Sequence, residues 1–298
     1  MKKPLVHLAL FAVSLIFGVS YIVGKEVLKY VKPATWAFCR ATGAAVLLLI
    51  LMGPTLIKTA TKKDFLIIAA LGLFGVGINQ IAFFEGLSRT TATHAAVINT
   101  IVPIVVLFFS ILIGYEELSK RRILGLILSF TGVLILLEIE KLQFDGALFW
   151  GDVLTVLNSL SFSFYLVLSR NINRRLKPLA VTAGMFTVGA IGISFYGATD
   201  VAQVVWSQIP LLIYALMIYL ITFGTIGTYY LNNWALSQVD SSLVALYIYI
   251  QPIVAGLLSR WLYHETLTAR TILASLMVFS GVAIGTMTLP HKKRGKNA

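Results

Sequence analysis

Arg40 stands inside an apolar stretch, where a charged group costs several kcal/mol or more unless it is paired or hydrated. A guanidinium there can hold a carboxylate or phosphate through two parallel hydrogen bonds. It can also act as a structural clamp, or reach outward to the interface on its long stem. Asn79, Gln80, Phe83 and Phe84 bring a second kind of chemistry. Residues four apart share a helix face, so Asn79 stacks with Phe83 and Gln80 with Phe84. A shift of 149 residues places Thr228, Tyr229, Asn232 and Asn233 at the matching positions. Two stretches thus pair amide or hydroxyl groups with aromatic rings, as a site for a small amphipathic molecule requires. The same groups also serve as hydrogen-bonded packing between helices.

Tyr247 and Gln251 lie four apart directly before Pro252, and Asn99 and Thr100 precede Pro103. Proline removes a backbone donor and disturbs the carbonyl four residues earlier, here at Asn99 and Ile248. In lipid such carbonyls must find a partner or face a cavity, so both prolines are expected to be hinges. Asn158 and Tyr165 complete the polar set, with Ser14, Ser20, Tyr21 and Ser161 as lesser contributors. Glu85, close to the end of its stretch, and His94, at the start of the next, are the candidates for ion coupling. An interfacial ion pair of Glu85 with Arg40 or Arg89 is the plainer alternative, and His7 sits at headgroup depth like His94. The expected substrate cavity is therefore Arg40, Asn79, Gln80, Phe83, Asn99, Asn158, Tyr165, Tyr229, Asn232, Tyr247 and Gln251.

The elements that carry these residues follow from composition. Of 298 residues, 58% are hydrophobic and 12% charged, and the mean hydropathy is +0.88. A soluble domain cannot cover itself with so little charge. Apolar runs long enough to cross a bilayer predict ten spans, at 5–24, 34–52, 65–87, 93–115, 122–139, 149–169, 179–198, 211–236, 241–263 and 270–289. The first is read as a retained span, since it runs into Lys25-Glu26 with no small-residue cleavage site. Cys39, the single cysteine, rules out an internal disulfide and any cysteine metal cluster.

The net charge of +12 resides in short loops and tails, which points to membrane orientation and not to nucleic acid. With both termini cytoplasmic, Lys58, Lys62, Lys63, Arg121, Arg122, Arg174 and Arg175 all fall inside. Trp36, Trp150, Trp206 and Trp261 then lie near the outer interface.

The chain also repeats itself. Leu87-Ser88, Pro103-Ile104-Val105, Glu116, Arg121, Phe130 and Gly132-Val133 recur as Leu236-Ser237, Pro252-Ile253-Val254, Glu265, Arg270, Phe279 and Gly281-Val282, without a gap. Five spans per half is an odd number, so the halves are expected to be inverted in the membrane, a device of secondary transporters. The boundary predicts a first repeat over 1–142 and a second over 143–298.

Each copy, with Leu-Ser, a span containing proline, Glu-x-Leu and an apolar run with Gly-Val, resembles the repeated half of EamA-type transporters of the drug/metabolite transporter superfamily. Gly151-Asp152, Ser161-Phe162 and Tyr165 are similar to the start of that family's second half, whereas a Trp-Gly pair frequent in its first span reads Phe17-Gly18 here. The resemblance implies an all-α membrane protein with ten transmembrane helices in two inverted five-helix repeats around a central cavity. It also implies transport of a small metabolite without a cofactor or metal. An amino acid or related compound, exported across the inner or plasma membrane by alternating access, is the expected cargo, with the lipid bilayer as surroundings and a monomer or homodimer as the working unit. A passive channel-like facilitator and an intramembrane enzyme are the alternatives. The latter lacks support because the four histidines are scattered and no acid–base cluster is seen. The embedded carboxylate that small four-helix proton-coupled exporters use in their first span is missing from residues 5–24. Replacement of Arg40 by alanine is expected to reduce transport of an anionic or zwitterionic substrate more than it reduces membrane abundance; equal activity at equal abundance would exclude Arg40 from the site.

Overall fold

The computed structural model describes residues 3–90, 95, 98–136, 148–263 and 269–286, and these are helical almost throughout. In chain order the longer helices are α1 (Lys3–Leu28), α2 (Pro33–Thr59), α3 (Lys62–Gly72), α4 (Asn79–Arg89), α5 (Val102–Leu112), α6 (Lys120–Leu136) and α7 (Phe149–Arg175). They continue as α8 (Pro178–Gly197), α9 (Leu211–Ile221), α10 (Thr228–Leu236), α11 (Ser241–Leu246), α12 (Gln251–Tyr263) and α13 (Ala269–Thr286). Wide π-helical turns at Leu73–Ile78 and Thr222–Gly227 join α3 to α4 and α9 to α10. A tightened 3-10 segment, Tyr247–Ile250, joins α11 to α12.

Eight helical stretches are long and apolar enough to cross a bilayer, α3–α4, α9–α10 and α11–α12 each counting as one. Two of the ten expected spans are described in shorter form. The fourth is seen as Val102–Leu112, because 91–94, 96 and 97 lie outside the described residues, and the fifth is Lys120–Leu136, which opens on three basic residues. The expected boundary between 142 and 143 also lies outside the described residues. Large apolar side chains cover the outer surface: Phe195 is 87% and Leu211 85% exposed. No water-facing surface tolerates such residues in a continuous belt, but lipid does. The interior holds Trp36, Phe84, Tyr165, Phe186 and Tyr249, all fully buried.

The two prolines do not bend a continuous helix. Pro103 lies in the first turn of α5, after a turn at Thr100–Ile101, and Pro252 lies in the first turn of α12, after the 3-10 segment. Proline is tolerated in a first turn because its missing N–H would be unpaired there anyway. Each proline therefore marks a break on its N-terminal side, and the breaks fall 149 residues apart. The two π-helical turns are spaced the same way, Leu73 against Thr222 and Ile78 against Gly227.

Helix pairing links the first and second halves of the sequence. α1 packs on α12 and α5 on α7; α4 packs on α7 and α1 on α10; α2 packs on α8. The closest pairing is α6 on α13, and its register is reciprocal. A Cβ on Gly125 would meet the Gly281 carbonyl at 2.5 Å, and one on Gly132 would meet the Ala274 carbonyl at 2.9 Å. Gly281 is the sequence twin of Gly132, and Ala274 the twin of Gly125. Between them the Ser129 hydroxyl donates to the carbonyl of Val278, its own twin, at 3.2 Å. With no side chain at Gly125 the two backbones touch. A Gly125→Leu variant is expected to force them apart and to destabilise the protein by about 1–3 kcal/mol or more. The measurements are a lower melting temperature in detergent and weaker cross-linking between cysteines placed on α6 and α13.

Candidate functional site

The site begins where the helices loosen. A π-helical turn leaves carbonyls without their usual partners, and the sequences LFGVGI and TFGTIG supply glycines at both widened turns. The Phe74 carbonyl accepts from Ser161 Oγ at 2.5 Å, and Gly75 O from the Tyr229 hydroxyl at 2.9 Å. At the second turn Gly224 O accepts from Arg40 Nη2 at 2.8 Å, and Thr225 Oγ1 accepts from Arg40 Nε. Thr225 in turn donates to Leu220 O at 2.7 Å. Arg40 is thus fixed to neutral acceptors, with the Phe84 ring 5.3 Å from its guanidinium carbon.

Between these turns lies a cavity of ≈ 80 Å³, which has room for several waters since one needs about 10–15 Å³. Aromatic rings form much of its wall: Phe17, Tyr21, Phe83, Phe84, Phe162 and Tyr229. Tyr21 and Phe83 meet edge to face with centroids 5.7 Å apart, as do Phe17 and Phe162 at 6.3 Å. Asn99 Nδ2 donates to the Tyr21 hydroxyl at 2.7 Å, and Ser159 Oγ donates to Asn99 Oδ1 at 2.6 Å. Asn79 and Asn158 donate to each other's backbone carbonyl, at 3.4 and 3.0 Å. Gln80 is 2% exposed, and neither its amide nitrogen nor its amide oxygen has a partner among the described residues.

Of the residues singled out in the sequence, Arg40, Asn79, Gln80, Phe83, Asn99, Asn158, Tyr229 and Gln251 line this cavity. Asn232 and Tyr247 instead line a neighbouring pocket of ≈ 10 Å³ that shares Phe17, Phe162, Ile248 and Gln251 with it. Tyr247 also meets His7 Nδ1 at 2.6 Å through its hydroxyl. Tyr165 lies outside the cavity lining. Its fully buried hydroxyl donates to Asn233 Oδ1 at 3.0 Å, so it ties α7 to α10. Glu85 is also outside the lining, paired with Arg89 and accepting from the Tyr196 hydroxyl at 2.6 Å. His94 lies outside the described residues. The wall residues Phe17, Val102, Phe162, Leu220 and Ile248 carry no polar side-chain atom, and nothing in their type sets them apart from core residues.

A second polar cluster sits at the end of the bundle that carries the basic loops. Arg122 bridges Glu116 at 2.6 Å and Asp240 at 3.0 Å. Arg170 pairs with the other Asp240 oxygen and donates to the Tyr115 carbonyl at 2.7 Å. Glu116, with a side chain 1% exposed, also accepts from the Ser242 amide at 3.1 Å and from the Ser242 hydroxyl. The carboxylate therefore caps the start of α11, where the helix dipole favours negative charge. From Asp240 to Gln251 the chain climbs roughly 16 Å at ~1.5 Å per residue, which separates this cluster from the cavity.

Helices of membrane length around a polar, aromatic-walled cavity define a polytopic membrane protein with an internal cavity. The model of the EamA-like transporter family matches residues 4–138 and again 149–287, and the chain belongs to that family. It is 24% identical to the uncharacterized transporter YyaM of Bacillus subtilis (strain 168), over 97% of each chain. It is 28% identical to the uncharacterized inner membrane transporter YedA of Escherichia coli (strain K12), over 93% of this chain and 89% of that one. An uncharacterized transporter of Archaeoglobus fulgidus shares 27%, over 94% and 96%. A crystal structure with 17% identity superposes with a TM-score of 0.74 over 94% of this chain and 96% of that one, and so shares the fold. The family and these relatives make the protein a membrane transporter.

Removing the Glu116 carboxylate leaves Arg122 with Asp240 alone and takes the acceptor from the Ser242 amide and hydroxyl. Glu116→Ala is expected to cost about 3–5 kcal/mol, measured by thermal unfolding in detergent, whereas Lys29→Ala at the exposed Glu26–Lys29 pair is expected to change little.

Proposed function

We propose that this chain is a secondary transporter that moves a small metabolite, an amino acid or related compound, outward across the inner or plasma membrane by alternating access. The observation that carries this reading is the symmetry of the cavity lining. Gln80 and Tyr229, Asn99 and Ile248, and Val102 and Gln251 are three pairs of wall residues, each pair 149 apart in sequence. Six of the sixteen wall residues thus come from twin positions, which supports a cavity placed between two related halves. The reciprocal α6–α13 register supports an antiparallel relation between those halves, and so ten helices in two inverted repeats, 1–142 and 143–298. Two inverted halves offer two conformations of similar energy, open to opposite sides. The breaks before Pro103 and Pro252, with the two π-helical turns, are the places where the change would be absorbed.

In this reading both termini are cytoplasmic, the Glu116–Arg122–Asp240–Arg170 cluster closes the cytoplasmic end, and the chain works as a monomer or homodimer. Counterflow into proteoliposomes loaded with an amino-acid mixture tests it. Saturable exchange that is accelerated by internal substrate is expected for a carrier. Flux that neither saturates nor responds to internal substrate would replace the carrier with a passive facilitator.

A further inference from the structure

We propose that the cavity binds a small organic anion with a hydrophobic body, its carboxylate on Arg40 and a hydrogen-bonding group on Gln80; the assignment rests on reading this cavity as the transport site. Arg40 is 6% exposed and lines the cavity. Its two hydrogen bonds go to uncharged oxygens, those of Thr225 and Gly224, and among the described residues no carboxylate pairs with it. A guanidinium has five donors in a planar fork that matches a carboxylate, and a buried charge without a counter-ion is costly. An anion entering the cavity relieves that cost. Gln80 supplies the second, independent observation. Its amide is buried against the same space with a donor and an acceptor left over. Native proteins rarely leave such a side chain unpaired unless a ligand or water completes it.

The sign of the site is set as well. No Asp or Glu is among the described lining residues, so a cationic ligand would meet Arg40 with no described carboxylate to offset the repulsion. The aromatic wall and the ≈ 80 Å³ of space suit a body of about one ring. The twin of Gln80 is Tyr229, and position 189, the counterpart of Arg40 at the same offset, is a glycine. Among the described lining residues the charge is therefore held by one half alone, which gives a substrate a defined orientation in the cavity.

Three probes on one skeleton separate the charges: 3-phenylpropionate (anion), phenylalanine (zwitterion) and 2-phenylethylamine (cation). Binding to the purified full-length protein in detergent is measured by calorimetry. The anion and the zwitterion are expected to bind saturably, and the amine more weakly by about tenfold or more. Arg40→Gln keeps a donor toward Gly224 but removes the charge, and is expected to weaken 3-phenylpropionate by about tenfold or more. Because Arg40 also holds the second π-helical turn, Gln80→Leu provides the independent variant. It is expected to weaken 3-phenylpropionate while raising the melting temperature of the empty protein, since two buried unpaired groups are removed. A purely structural Gln80 would lower the melting temperature instead. Equal affinity for the amine and the anion, unchanged affinity in both variants, or no binding of any probe overturns the proposal. Binding with this charge preference but without counterflow would remove the transport reading and leave the site. Counterflow of a cation with the same affinity in Arg40→Gln would do the reverse.

Discussion

Lipid offers a backbone carbonyl no hydrogen-bond donor, and this constraint governs the interior of the protein. A regular helix meets it alone. The two π-helical turns do not, and donors from the opposite half of the chain help to complete them, beside Thr228, which serves Gly224 from its own helix. Ser161 and Tyr229 serve Phe74 and Gly75, and Arg40 serves Gly224. The loosened turns therefore act as cross-links between the halves. They also bring polar side chains to the centre of an apolar bundle, where Arg40 and Tyr229 become part of the cavity wall. Asn79 and Asn158 add a reciprocal pair across the same seam.

The two polar regions of the molecule differ in how fully they are paired. At the basic-loop end, Glu116, Arg122, Asp240 and Arg170 pair as opposite charges, and Glu116 caps a helix. In the cavity the pairing is incomplete: among the described residues Arg40 has only neutral partners and Gln80 has none.

Much of this was legible from residue type alone. A polar residue in an apolar run has few reasons to exist, and seven of the ten polar residues chosen on that ground line the cavity. The rule fails where burial without ligand contact is the reason. Tyr165 obeys it as well as Tyr229 does, yet its hydroxyl is engaged by Asn233, a contact decided by the packing of α7 on α10. The apolar wall, Phe17, Leu220 and Ile248, was not legible, because an apolar side chain facing a cavity has the same periodicity as one facing core. Nor was the link between Arg170 and Asp240, seventy residues apart, since each reads as an ordinary loop-proximal charge. The prolines were legible as disturbances, but a sequence pattern does not tell a bend within a helix from a break before one.

The spacing of the irregular turns has a historical meaning. Both π-helical turns and both breaks before proline sit 149 residues apart, in a stretch that aligns without insertion or deletion. Two independent lesions would not fall in the same register in two diverged copies. The shared register points to irregularities older than the doubling of the half. Once two copies shared one chain they could mutate separately, and the cavity wall was free to become lopsided, with Arg40 on one side and Gly189 at the matching position.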